Sequence, residues 1–160
     1  MLADFQQALA DLTARPEWCI AVRADASLLR SRYDLTDREA RRLHAIACDD
    51  GMSCACTVYR MNRLAPLAMN VRLTLRALGP SAKKVLSEYW HDHPRGHAHF
   101  FLESNRFCTW LRTRLDVGEP LDCARDRPAA SELRTILDRE SDAILAAISA
   151  SRTESDLRIY

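Results

Sequence analysis

Glycine stands at only four positions in this chain, Gly51, Gly79, Gly96 and Gly118. Tight hairpins and sheets draw on glycine-rich turns and on β-branched runs, and this sequence has few of either. Between the glycines lie long stretches of Ala, Leu and Arg, which are good helix formers. The expectation is therefore an all-α fold of about seven helices. A small N-terminal helical lobe over residues 1–52 is expected to pack on a larger helical bundle over residues 53–160.

Apolar spacing sets out the first lobe. Phe5, Ala8, Leu9 and Leu12 recur with helical period over residues 3–13. Pro16 suits the first turn of a second helix, PEWCIAVRA, which offers Trp18, Ile20, Ala21 and Val22 to a core. Leu28, Leu29 and Tyr33 continue a third short turn. Thr36 followed three residues later by Glu39 is a capping box, opening a helix through Leu43 and Ile46 to about Cys48. Asp49, Asp50 and Gly51 end it. The rhythm of Tyr33, Leu35-Thr36 and Glu39 resembles the small helical subunits of extradiol dioxygenases. Capped helices produce that rhythm by chance, so it carries no functional expectation.

Residues 54–78 would make a helix of about 37 Å if unbroken. Pro66 lacks an amide hydrogen and crowds the carbonyl four residues back, so a kink or break is expected near residues 63–65. Val71, Leu75 and Leu78 form its buried stripe. Gly79-Pro80 is a stop signal, and Ser81 is positioned to cap the next helix, which buries Val85, Leu86, Tyr89 and Trp90. Pro94 and Gly96 force a turn in HDHPRGHAH. The next helix carries Phe100, Phe107, Trp110 and Leu111 as core candidates. A polar connection over 116–130 follows, with Pro128 placed to open a last helix. Leu133, Ile136, Leu137, Ile144, Leu145 and Ile148 form that helix's apolar face, and residues 151–160 are expected to fray.

Charge limits the partners. The formal net charge is +1, with both signs interspersed. Phosphate neutralisation supplies most nucleic-acid affinity, so a DNA-binding regulator remains an alternative without support from the charge balance. The N-terminus lacks a basic segment followed by an apolar core, and no apolar run reaches membrane-spanning length. A cytoplasmic protein with reduced thiols is the expectation.

Two clusters invite metal or redox chemistry. His91, His93, His97 and His99 crowd the turn, and imidazole ligates zinc and copper. Cys54 and Cys56, with Cys48 close by, are expected at a helix start, where the dipole makes a thiol more reactive. A metal- or thiol-dependent redox protein using these residues is thus an alternative. Against it, the histidine spacing matches no defined metal site, and buried cysteines often serve as small hydrophobes. No nucleophile elbow, phosphate-binding glycine loop or His-Glu-x-x-His motif is present. Catalysis by the chain alone is not expected.

A row of polar side chains is the third candidate. Tyr59, Arg60, Asn62 and Arg63 occupy one helical turn, and Asn70, Arg72 and Arg76 follow. Arg72 and Arg76, four apart, share a face. Arginine and tyrosine are enriched where proteins grip other proteins, and a guanidinium can hold a carboxylate with two hydrogen bonds. The competing reading is a solvated face, or arginine and asparagine tying the helix to nearby loop carbonyls.

Residues 54–115 also resemble a known family. The shared phrases are Tyr59-Arg60-Met61-Asn62, Leu78-Gly79, Tyr89 with His93-Pro94, and Phe107 to Leu111. They resemble accessory subunits, named for a DNA-binding domain, that partner multinuclear-iron TIM-barrel enzymes in ribosomal-peptide biosynthesis. The accessory subunit of methanobactin biosynthesis is similar. The resemblance implies a non-catalytic subunit with no cofactor of its own, the iron residing in the partner enzyme. It would form a heterodimer, engage the leader of a precursor peptide and help present its cysteines for oxidation. The products of such pathways often bind copper. Tyr59, Arg60, Asn62 and Arg63 match the motif, and with Arg72 and Arg76 they form the expected partner- and peptide-binding set. Longer family members carry a further C-terminal domain with β structure, whereas the last 45 residues here offer a loop and one helix, so a helical groove is expected in place of β-augmentation.

Overall fold

The computed structural model describes residues 2–97, 99–117 and 130–157. Among them are nine α-helices and no strand, so the chain is all-α as its glycine usage implies. The helices are α1 (Leu2–Ala14), α2 (Pro16–Ala24), α3 (Ser27–Arg32), α4 (Asp37–Cys48), α5 (Asp50–Asn70), α6 (Arg72–Leu78), α7 (Ala82–Asp92), α8 (Phe100–Val117) and α9 (Ala130–Leu157). The chain divides into two compact units, residues 1–62 and 63–160. This boundary lies inside α5, ten residues beyond the expected one at 52 (62 against 52). The reason is burial: Met52 and Cys56, on the first turns of α5, belong to the first core.

The first unit closes around fully buried Leu12, Val22, Leu29 and Leu43. Burying a side chain of this size contributes about 1.5–3 kcal/mol. Both halves of the Thr36–Glu39 capping box form: the Thr36 hydroxyl accepts from the Glu39 amide, and the Glu39 carboxylate accepts from the Thr36 amide at 2.9 Å. One buried polar contact joins α1 to the turn after α3, where the Tyr33 hydroxyl donates to Asp11 Oδ2 at 2.7 Å. Ile20 departs from expectation. It is 65% exposed, because Cys19 and Val22 supply the inward face of α2.

The second unit closes around Leu67, Val71, Leu78, Tyr89, Phe107, Leu111 and Leu137. Tyr89 meets Phe107 edge to face with ring centroids 5.2 Å apart. The helix does not break at 63–65 as expected. It continues through Pro66 to Asn70 and leaves helical geometry at Val71. A proline inside a helix costs about 3 kcal/mol. Local packing offsets that cost: Leu67 and Val71 are fully buried, and the Pro66 carbonyl accepts a bond from the Ser104 hydroxyl at 3.1 Å. The new start at α6 is satisfied from α9, since the Leu73 and Thr74 amides donate to the Glu140 carboxylate at 2.8 and 2.9 Å.

Gly79 ends α6 at φ +52°, where a side chain would be strained. Gly79–Ser81 then form a 3-10 turn, so Ser81 holds helical angles in place of the extended N-cap conformation. Phe100 and Leu145 are 38% and 47% exposed and lie outside the core expected to hold them. The helix of the last segment extends to Leu157, beyond the point where fraying was expected. Most of the connection over 116–130, including Pro128, lies outside the described residues.

Candidate functional site

Arg63 is the most heavily bonded member of the polar row. It is 4% exposed and faces Glu103, which is fully buried on α8. Arg63 Nε and Nη2 lie 2.8 and 2.7 Å from Glu103 Oε1. Nη1 donates to the carbonyls of His93 and Pro94 at 2.7 and 3.2 Å. The other carboxylate oxygen, Glu103 Oε2, accepts from the His97 amide at 2.7 Å. The Tyr89 hydroxyl lies 3.3 Å from Oε1, and the Arg63 guanidinium sits 5.3 Å from the Tyr89 ring centroid. Burial first, and the Glu103 charge second, push the Tyr89 hydroxyl above its ordinary pKa.

A buried ion pair needs its remaining hydrogen-bonding groups satisfied, and the histidine-bearing turn supplies acceptors to Arg63 Nη1 and a donor to Glu103 Oε2, leaving Nη2 with only its ion-pair contact to Glu103. Arg63 is therefore committed inside the fold, tying its helix to loop carbonyls. Asn70 behaves similarly, donating to the Ser104 hydroxyl at 3.0 Å.

The turn is anchored at further points. Trp110 Nε1 donates to Asp92 Oδ2 at 2.9 Å, and Arg106 donates to the Arg95 carbonyl at 3.0 Å. A β-carbon at Gly96 would lie 2.9 Å from Arg63 Cδ, so only glycine lets the turn approach this closely. The imidazoles are not gathered by this. His91, His97 and His99 are exposed, whereas His93 is half-buried and stacks on Tyr89 with centroids 5.2 Å apart. The ring nitrogen His97 Nδ1 accepts from the His99 amide at 3.0 Å. Among the described residues no three His, Cys, Asp or Glu side chains form a group able to hold a metal ion.

The cysteines separate in the same way. Because α5 starts at Asp50, Cys54 lies in its second turn, past the reach of the helix dipole on which the expected reactivity depended. Cys48 and Cys54 are exposed. Cys48 Sγ lies 3.6 Å from His44 Nε2. Cys56 is buried, with its thiol donating to the Leu12 carbonyl at 3.5 Å, and lines one cleft together with Cys19. Burial pushes the Cys56 thiol up, and Arg60 and Arg23 pull in the opposite direction. These residues border a cleft of about 200 Å³ in the first unit, lined also by Ile20 and Ser53.

The other members of the row remain at the surface. In the first unit Asn62 is exposed, Tyr59 is half-buried, and Arg60 lies 3.5 Å from Glu17. In the second unit Arg72 and Arg76 are exposed and make no ion pair among the described residues. Exposed Met69 and Leu73, at 72% and 40%, alternate with them. Arg72, Leu73 and Arg76 lie on α6 and mix apolar with cationic side chains, while Met69 lies on α5, before the break at Val71.

Two important residues escaped sequence reasoning. Glu103 is four residues before Phe107 and eight before Leu111, on a stripe otherwise apolar, and an acid at such a position signals a buried partner. Cys19 gave no comparable signal, because its neighbour Cys56 comes from a distant helix. No family model, curated protein or solved structure matches the chain.

Proposed function

We propose that this chain is a non-catalytic, cytoplasmic accessory subunit that recruits a precursor peptide to an iron-dependent TIM-barrel oxygenase. The observation that carries the reading is the strip Met69, Arg72, Leu73 and Arg76. Two guanidiniums that make no ion pair among the described residues stand with two exposed apolar side chains. Such a strip suits an amphipathic segment bearing carboxylates, which arginine can grip with paired hydrogen bonds. The ordered motif over residues 54–115 adds the partner class. Its Tyr89, Phe107 and Leu111 lie in the core of the second unit, while Asn62 is exposed in the first. The motif thus combines framework positions with positions open to a partner. Among the described residues no helix is long and apolar enough to cross a membrane.

The test is co-purification of the tagged chain from its own cells, with a multinuclear-iron enzyme and a short cysteine-bearing peptide sought among the captured species. A stable complex is expected, with peptide oxidation only when both proteins are present. Arg72→Glu combined with Arg76→Glu should weaken peptide or enzyme binding by about tenfold or more, since central arginines commonly dominate interfaces. Absence of any complex would overturn the reading, as would turnover by the isolated chain with metal held on its own imidazoles or thiols.

A further inference from the structure

The first unit places two thiols from distant parts of the sequence on the lining of one cleft. Cys19, on α2, is 3% exposed and donates to the Ala47 carbonyl at 3.8 Å. Cys56, on α5, is 6% exposed and donates to the Leu12 carbonyl at 3.5 Å. Both line the cleft of about 200 Å³, together with Arg23 and Arg60. Arg23 is itself fixed there: its guanidinium donates to the Ala47 and Asp49 carbonyls and to the Ser53 hydroxyl. A peroxide is small enough for such a cleft. Burial holds the Cys56 thiol protonated, and the two arginines oppose that effect on the thiolate that must form before either sulfur can react.

We propose that Cys19 and Cys56 are a peroxide-sensitive dithiol that closes to an intramolecular disulfide joining α2 to α5. The Cys56 thiolate attacks one peroxide oxygen, the O–O bond breaks, and with one proton transferred the products are a sulfenic acid and water. The Cys19 sulfur then attacks the sulfenic sulfur. The S–S bond forms, the S–O bond breaks, and a second water leaves with the Cys19 proton. In total two thiols and one peroxide give one disulfide and two waters, the sulfurs being oxidised and the peroxide oxygens reduced. Cys48 and Cys54, although more exposed, take no part, because neither lines this cleft. This inference does not depend on the peptide-recruiting role.

The experiment treats the reduced, full-length chain with a slight excess of hydrogen peroxide, blocks remaining thiols under denaturing conditions, and maps the peptides by mass spectrometry. The expected result is an intact mass lower by two hydrogens and a linked peptide pair carrying Cys19 and Cys56, reversed by a dithiol reductant. Cys48→Ser and Cys54→Ser should leave that product unchanged. Cys19→Ala should abolish the linked pair and leave Cys56 as a sulfenic acid trapped by dimedone. Full alkylation of Cys19 and Cys56 after peroxide would overturn the proposal. So would a link through any other cysteine, or a wild-type Cys56 that passes directly to sulfinic acid. The wild-type map decides the matter even if the variants fold poorly.

Discussion

Both units place a tyrosine hydroxyl on a carboxylate buried within the helical core, and they differ in how that carboxylate is compensated. In the first unit Tyr33 donates to Asp11, which is 5% exposed. In the second, Glu103 is fully buried and receives the Arg63 guanidinium, the His97 amide and a longer contact from Tyr89. The first contact joins two nearby elements of a small core. The second holds an entire turn, because the same arginine also binds the carbonyls of His93 and Pro94. A carboxylate with one neutral donor can remain near the edge of a core. One removed completely from water needs an opposite charge and a full set of hydrogen bonds.

The largest test of this difference is Glu103→Ala, which leaves Arg63 buried without its counter-charge. Urea unfolding should show a loss of about 3–5 kcal/mol in the second unit. Arg63→Met combined with Glu103→Leu should recover most of it, and failure to do so would mean that the pair is needed for more than charge balance. Tyr33→Phe in the first unit should cost less, about 1–3 kcal/mol, because one donor is lost to a carboxylate that water can still approach.

Gly96→Ala probes the fit of the turn on Arg63. Its β-carbon would meet an arginine side chain whose guanidinium is already held by Glu103 and the His93 carbonyl. Thermal unfolding should register a cost of about 1–3 kcal/mol, within the range for overpacked sites.

Titration separates the two tyrosines. Burial, then the bond to Asp11, push the Tyr33 hydroxyl from 10.0 up to about 12. A folded-state pKa above the unfolded value means that this contribution is complete below pH 10 and is lost as pH climbs toward about 12. Tyr89 is also lifted, by burial first and then by the Glu103 charge. Tyrosinate absorbance should appear late for both, and Tyr33→Phe should remove the earlier of the two delayed steps.

The smallest effect belongs to Glu39, exposed on the capping box. Its carboxyl is held below 4.5, chiefly by the bonds from the Thr36 amide and hydroxyl. The sign is opposite to the tyrosine case: the contribution is present above 4.5 and is lost as pH falls through the lower folded value. The stability difference between wild type and Glu39→Gln should therefore shrink steadily on acidification.

Much of the architecture was readable from local chemistry. The capping box, the proline that opens α2, the stop at Gly79 and the all-α class each depend on residues adjacent in sequence. Pro66 did not break its helix, because Ser104 and the buried neighbours Leu67 and Val71 act from outside the local stretch. Ile20, Phe100 and Leu145 have the right residue type for a core, but which flank of a helix faces inward is decided by the helices packed around it.

The same division runs through the candidate sites. Sequence alone determined which groups exist in quantity: arginines and an asparagine along α5 and α6, histidines in one turn, and thiols near the start of α5. Only the tertiary structure decided that Arg63 turns inward to Glu103 while Arg72 and Arg76 stay in solvent, and that Cys56 and Cys19 line one cleft. Helical period places a side chain on a face, but burial and charge pairing depend on what another helix brings to that face. Such partners lie tens of residues away in the chain, beyond the range over which spacing carries information.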